Sequence, residues 1–541
     1  MSKKKSVSKI QPIFIAIGVI LGILIGCFYS SLYSGNNLSI INASGNKLND
    51  LLYIIDDQYV DTINIEEIVE KSLPKILKEL DPHSVYISSK DAEQSMQELK
   101  GSFSGIGIQF FPYKDTIRIT SIIKGGPSES AGLKAGDRIV QINGQEYVGE
   151  KVQNNEETMK LLKGKQGSTV ALGVKRNGVD GILNFEIIRG EVPVKTVNAV
   201  YMINDTVGYI NIGSFGETTY PEFLAALAKL NQHDFRNLII DLRNNLGGYM
   251  APAIQIANEF LPEKRLVVYT EGRKSPREDY YSDGRGTYQS IPLIILLDET
   301  TASASEILAG AIQDNDRGKI IGRRSFGKGL VQIPINFNDG SILRITKARY
   351  YTPSGRCLQK PYVPGLDEEY EQDLIKRAEH GEYYSQDSIK NSGKEYHTLI
   401  GRTVFGGGGI VPDVFIAKDT LGITPYFKEI YMRGLLHNFS FEYVDLNRNK
   451  LENLESFKDV ELTLSKDQVF DKFIRFADSN GVKRRNLMIN ESKKIITQYL
   501  ITQIINDAWG NEKANVYANE TDPMVIKALD IIRHNETFPH K

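Results

Sequence analysis

The 541-residue sequence predicts a multidomain α/β protein: an α/β core with a largely parallel sheet, a small β-rich module before it, and helical regions at both ends. Three observations lead there. From Pro193 onward, strand-like runs alternate with helix-like ones: "VGYINIGSF", "TYPEFLAALAKLNQ", "NLIIDLRNNLGGYM", "APAIQIANEFL", "PLIILLDE" and "SASEILAGAIQDN". Within that rhythm "LIILL" shows no polar alternation, as expected of an inner parallel strand buried on both faces. Between Gly101 and about residue 192 the texture differs, with short β-like runs such as "TIRITSII" and "TVALGVKRNG" separated by Gly, Asn and Asp turns.

The elements follow in chain order. Lys3, Lys4, Lys5 and Lys9 precede the uncharged run Ile13 to Phe28, which reads as a signal anchor over residues 1–35. The lysine bias places the N-terminus in the cytoplasm and the remaining chain outside it. "LIGC", ending at Cys27, also fits the short pattern of bacterial lipoprotein acylation, so lipidation is the alternative form of tether. A polar stretch, "SGNNLSIINASGNKLND", reads as a linker, and 45–100 as an amphipathic helical region that Asp81-Pro82 interrupts.

In the β-rich module, residues 101–192, the "SGIGI" loop (Ser104, Gly105, Ile106, Gly107, Ile108) would place successive backbone N–H groups beside a strand edge. That arrangement suits capture of a peptide's C-terminal carboxylate, with the peptide adding as a strand. The α/β core spans 193–416, with a charged, tyrosine-rich insertion at 361–405. Residues 417–541 are mostly helical and carry no chemical motif.

Composition excludes several function classes. A formal net charge of −2 gives no global attraction to nucleic acid. The only cysteines, Cys27 and Cys357, form no CxxC pair, and seven scattered histidines show no HExxH spacing, so neither metal nor cofactor is expected.

The stretch richest in chemistry is "TTASASEILAG", Thr300 to Gly310, with four hydroxyl side chains at the start of a helix. Capping of the orphan N–H groups is the ordinary role of such residues. Here, however, they follow the buried strand, at the carboxyl end where α/β sheets collect ligands. The helix start also offers N–H donors to a developing oxyanion. A serine nucleophile needs a base, and Lys328 in "SFGKGLVQ", flanked by Gly327 and Gly329, is the candidate once burial or nearby positive charge lowers its pKa. The GxxxxGK[ST] spacing of a phosphate-binding loop is missing.

"GIGIQF" followed by "GGPSESAGLKAGDRIVQINGQ" resembles a PDZ domain of the circularly permuted type found in bacterial proteases. "LDPHSVYI", "DLRNNLGG", "TASASEILAGA", "SFGKGLVQ", "ARYYTPSGR" and "GGGGIVPD" together resemble the C-terminal processing peptidases, or tail-specific proteases, from about Leu51 to Ile416. The resemblance implies a crotonase-like (ClpP-like) α/β protease core of the S41 type. It also implies a serine endopeptidase that cleaves exported proteins selected by their C-terminal tails. Residue by residue, it makes Ser303 the nucleophile, Lys328 the general base and Gln332 the residue orienting that lysine. The backbone amides of Gly248 and Ala304 become the oxyanion hole, Ser305 a structural neighbour and Asp314 a structural acid. In "LLKGKQG", Lys163 stands where many relatives carry an arginine linked to activation, and lysine cannot copy a bidentate guanidinium contact.

Implied partners are proteins or peptides with free C-termini, and the membrane through the anchor; a homo-oligomer or an adaptor protein stays open. The implied location is inner-membrane anchored, with the catalytic part in the periplasm. Two rival readings are a non-catalytic tail-binding scaffold and an acyl-thioester enzyme on the same core. The intact Ser303, Lys328 and Gln332 set weighs against the first, and the PDZ-like module with its export signal against the second.

Overall fold

The computed structural model describes residues 37–92, 95, 101–389 and 394–538, so the expected anchor and Cys27 lie outside the described residues. Among the described residues no helix is long and apolar enough to cross a membrane. The chain divides into two compact units, 1–76 and 77–541.

In the first unit, the polar stretch expected to be a linker is helical from Asn37 onward, within Asn37–Gln58. The stretch holds no proline, and the periodic apolar positions Leu48, Leu51, Leu52 and Ile55 extend directly from it. A second helix, Ile65–Lys78, begins where the Asn64 side chain accepts the Glu67 amide proton.

The second unit is built on a six-stranded sheet in the order Val197–Asn204, Val207–Ile212, Asn237–Asp241, Leu293–Leu297, Lys319–Gly322, Val414–Phe415. The first pair is antiparallel and the others run parallel. The run "LIILL" is buried throughout because both faces of the sheet are covered. Leu293, Ile295 and Leu297 pack with the helices Thr219–Asn231, Met250–Asn258 and Ala304–Asp314. Ile294 and Leu296 join Ala199, Tyr209, Ile239 and Ile321 on the opposite face. There they meet Met524, Val525, Ala528 and Ile531 of the last helix, Pro523–Arg533. The C-terminal end of the chain thus returns to close the core.

A second sheet joins Val85–Ile87, Ile342–Tyr351, Leu266–Gly272 and Ser275–Tyr281, with Leu330–Asn336 paired antiparallel to Ile342–Tyr351. The β-rich module is an antiparallel sheet ordered Ile108–Tyr113, Thr116–Ile122, Arg138–Ile142, Thr169–Lys175, Leu183–Ile188, around its own apolar core. Residues 425–509 form a helical layer with a separate core.

The β-rich module docks on that layer through the helix Leu435–Glu452. Phe111 meets His437 and Phe441 edge-on, with centroids 4.7 and 5.6 Å apart. The Arg118 guanidinium lies 4.0 Å from the Tyr113 ring centre and 5.3 Å from that of Phe441. Glu442 accepts the Tyr113 hydroxyl, and Arg138 sits 3.7 Å from Asp445.

Candidate active site

Ser303 sits between the strand Leu293–Leu297 and the helix Ala304–Asp314, at the N-cap position. Its backbone adopts φ 58° and ψ −118°, a conformation that costs a non-glycine residue about 1–3 kcal/mol and persists only when its surroundings impose it. Those surroundings are visible. Ala302 donates its amide to the Asn245 carbonyl at 3.0 Å, and the buried Ser305 hydroxyl donates to the same oxygen at 3.2 Å. The hydroxyls of Thr300 and Thr301 are spent on Asp298 and the Leu242 carbonyl. In the crowded helix start, the threonines and Ser305 therefore brace the turn that presents Ser303.

The glycine pair of "NNLGG" packs against that turn. A Cβ on Gly247 would stand 2.7 Å from the Ser303 Cβ, and one on Gly248 would stand 2.1 Å from the Phe215 carbonyl oxygen. With φ of 96° and 144°, both positions require glycine. Gly248 is thereby held beside Ser303 and Ala304.

Lys328 lies on the loop before the strand Leu330–Asn336. Its ammonium group bonds Gln332 Oε1 at 3.3 Å, and the Gln332 amide nitrogen donates to the His83 carbonyl. Burial, seconded by the Arg344 charge, pushes the Lys328 pKa down. The segment "LDPHSVYI" builds the anchor for this arrangement. Asp81 accepts the amides of His83 and Ser84 at 2.9 Å each and the Ser84 hydroxyl at 2.6 Å. His83 Nε2 bonds the Tyr370 hydroxyl at 2.8 Å, and burial first, then Lys328, lowers its pKa to about 4.

Ser303, Ala304, Gly248, Lys328 and Gln332 line one cavity of about 350 Å³. Leu246, Met250, Ile307, Leu330, Val331 and Pro334 make most of its wall apolar, and Gly247, Tyr249, Arg344 and Tyr350 complete it. All five candidate residues of the core thus share one space, although about 85 positions separate Gly248 from Gln332 in the chain.

Two residues central to the site escaped the sequence reading. Glu306, 0% exposed, accepts the Ser303 amide at 2.8 Å, the Gly327 and Lys328 amides at 2.9 Å each, and the Ser325 hydroxyl. One carboxylate therefore fixes the Ser303 turn to the lysine loop. Burial pushes its pKa up, against the pull of those four donors. Tyr350, 1% exposed, donates to the carbonyls of both Ser303 and Lys328. Glu306 could have been suspected as the N3 partner of an N-cap serine; Tyr350 lies within "ARYYTPSGR", a run read for family kinship but not for this role. The insertion also packs inward. Arg377 donates to the carbonyls of Arg324 and Ser325, behind the lysine loop. Asp314 holds the fully buried Arg356 at 2.6 Å, a structural pair.

In the β-rich module, the loop is more enclosed than the sequence suggests. Ser102–Gly105 pairs with Gly190–Pro193, and Gly105, Ile106 and Gly107 are buried. The carbonyls of Ile106 and Gly107 accept the Ser128 and Ile123 amides. Ile108 then starts a strand at the edge of the module's sheet. Ile108, Phe110 and Leu161 lie only partly buried beside it. Lys163 places its ammonium group 4.9 Å from the Phe103 ring centre, within the module itself.

Comparison with known proteins fits this architecture. The family model of peptidase family S41 matches residues 206–371, a PDZ domain matches 104–187, and a family of unknown function (DUF8443) matches 426–510. The chain is 34% identical over 317 residues to the carboxy-terminal processing protease CtpB of Bacillus subtilis, covering 58% of this chain and 65% of that protein, just under two thirds of its length. It is 33% identical over 354 residues to a carboxy-terminal-processing protease of Bartonella bacilliformis, covering 64% of this chain and 80% of the relative. Among solved structures, the photosystem II D1 C-terminal processing protease is 23% identical, with a TM-score of 0.35, over 69% of this chain and 92% of that one. Sequence kinship and domain content define a serine-type peptidase carrying a PDZ domain. The chain belongs to peptidase family S41, among the carboxy-terminal processing proteases.

Proposed function

We propose that this chain is an exported, membrane-tethered endopeptidase that selects protein substrates by a free C-terminal tail and cleaves them through a Ser303/Lys328 dyad. The observation that carries the reading is the shared cavity. A serine held in a strained turn at a helix N-terminus faces the same space as a lysine whose charged form is disfavoured by burial.

Neutral Lys328 accepts the Ser303 hydroxyl proton as Ser303 Oγ attacks the substrate carbonyl carbon. The oxyanion is received by the amides of Gly248 and Ala304. Protonated Lys328 returns the proton to the leaving amine, and the acyl-enzyme forms. A water deprotonated by Lys328 then attacks the ester, and Ser303 leaves with the proton. Gln332, fixed by the His83 carbonyl, aims the lysine. The apolar cavity wall favours substrates with apolar residues at the scissile bond.

The tail docks as an added strand on Ile108–Tyr113, with its carboxylate toward Ser104–Ile108, a reading supported by the open sheet edge there. Six strands, mostly parallel and covered by helices, support a crotonase-like core, and the order of loop, strand and short helix supports a permuted PDZ domain. Export rests on the lysines before Ile13 to Phe28.

The test compares wild type with Ser303→Ala and Lys328→Ala on one unstructured substrate, ending either in an apolar free carboxylate or in an amide. Cleavage by wild type alone, faster for the free tail, is expected. A purified Ser303→Ala protein with full activity would overturn the dyad, and equal rates on both substrates would overturn tail selection.

A further inference from the structure

The last helix lies outside the 206–371 match to the peptidase family and also outside the 426–510 match. Its N-cap, Asp522, nevertheless reaches the peptidase core. One carboxylate oxygen caps the helix, accepting the Met524 and Val525 amides at 2.9 and 3.0 Å. The other accepts Arg243 Nη1 at 2.6 Å. Arg243 is the third residue of the "DLRNNLGG" turn that ends in Gly248.

All but one of the other bonds of Arg243 stay within its own turn, the exception being a long contact of 3.5 Å from Nη2 to Asn519 Oδ1. The same Nη2 meets Asp241 at 2.6 Å, and Asp241, 2% exposed, also accepts the Tyr209 hydroxyl at 2.6 Å. Asp241 and Arg243 are two positions apart, so their pair stiffens the turn. Asp522, 279 positions further on, ties it to another element. From Arg243 the restraint passes along a short backbone. Asn244 donates its amide to Asp298, and Asn245 Oδ1 accepts the Gly247 amide at 2.8 Å. The Asn245 carbonyl takes the Ala302 amide beside Ser303.

The helix can serve as a fixed post because Met524, Val525, Ala528 and Ile531 are buried against the sheet. We infer that Asp522 is a positioning residue for the oxyanion turn, so that the C-terminal end of the chain is part of the catalytic framework. The inference rests on the assignment of Gly248 as an oxyanion donor. Asp522 touches no reacting atom; it acts through Arg243 and the backbone from Asn244 to Gly248.

The experiment uses the full chain with Asp522→Asn, which keeps the N-cap but removes the charge facing Arg243, and Asp522→Ala, which removes both. Three quantities are read: kcat and KM on a free-tail peptide, inhibition by a peptide aldehyde that places an oxyanion in the hole, and inhibition by the parent peptide amide. For a folded Asp522→Asn protein, kcat and aldehyde affinity both fall about tenfold, a fraction of the loss of one whole oxyanion donor. KM and parent-peptide affinity stay within about twofold, because ground-state binding does not use the hole.

Wild-type kcat and aldehyde affinity in folded Asp522→Asn would overturn the inference. So would a parallel loss of both inhibitors and activity that tracks the folded fraction. An aldehyde that gains nothing over the parent peptide on wild type would instead remove the Gly248 assignment, and this inference with it.

Discussion

Glu306→Gln tests whether one buried carboxylate holds the two halves of the proposed dyad together. Its oxygens divide the work: Oε2 accepts the amides of Ser303 and Lys328, while Oε1 accepts the Gly327 amide and the Ser325 hydroxyl. All four partners are donors. A glutamine must turn its NH2 toward one pair. Facing Ser303 and Lys328, it opposes two backbone N–H groups. Facing the other pair it opposes Gly327, and although the Ser325 oxygen could accept one amide proton beside that of Ile410 at 2.7 Å, the Ser325 proton would lose its acceptor.

Either orientation leaves at least two buried donors without a partner, at about 1–3 kcal/mol each. Local relaxation recovers part of that, so a loss of about 3 kcal/mol in stability is expected. Displacement of Ser303 relative to Lys328 by about 1 Å lowers kcat roughly 100-fold. The pH profile supplies an independent mark. The Glu306 charge raises the Lys328 pKa, so removing it moves the acid limb of kcat to lower pH while the plateau falls. The assays are thermal unfolding and kcat against pH on a free-tail peptide. A Gln variant with wild-type plateau and unmoved acid limb would refute the reasoning.

Arg344→Gln gives the opposite pH signature. Arg344 lines the same cavity and its charge helps hold the Lys328 pKa down, against Glu306 and Asp81, which push it up. Without Arg344 the Lys328 pKa rises, less of the base is neutral at pH 7, and the acid limb of kcat/KM moves to higher pH. Arg344→Lys should restore most of the original profile; an unmoved limb in the Gln variant would exclude electrostatic coupling. Tyr350→Phe deletes the donor shared by the Ser303 and Lys328 carbonyls. The Ser303 carbonyl keeps the Glu306 and Ile307 amides, so the loss falls on Lys328 and costs about 1–2 kcal/mol. A kcat about tenfold lower with KM unchanged is expected; a changed KM with unchanged kcat would place Tyr350 in substrate binding.

What the sequence could convey was local order. "LIILL" announced a strand covered on both faces, yet it could not say which segment supplies the second cover. That partner, Met524 to Ile531, arrives more than 200 positions later and looks like an ordinary amphipathic helix. Ser303 and Lys328 were legible because a strand-to-helix serine and a glycine-flanked lysine each leave a short pattern, which kinship then joined. Glu306 was visible only as a helix-start glutamate, since its significance comes from Ser325, Gly327 and Lys328 folding over it. Tyr350 lay within the kinship run "ARYYTPSGR" but gave no sign of its role, because tyrosine is enriched in strands for packing alone. The polar linker shows the converse error: Asn and Ser lower helix propensity only weakly, and an adjoining apolar period can carry them along. The residues proposed to do chemistry therefore stood in recognisable local patterns, whereas those that hold them in place were defined by contacts across the chain. The pair Arg243–Asp522 is the extreme case. Nothing near Asp522 distinguishes it from any Asp-Pro helix cap, and its second carboxylate oxygen, turned toward the core, ties the last helix to the turn that carries Gly248.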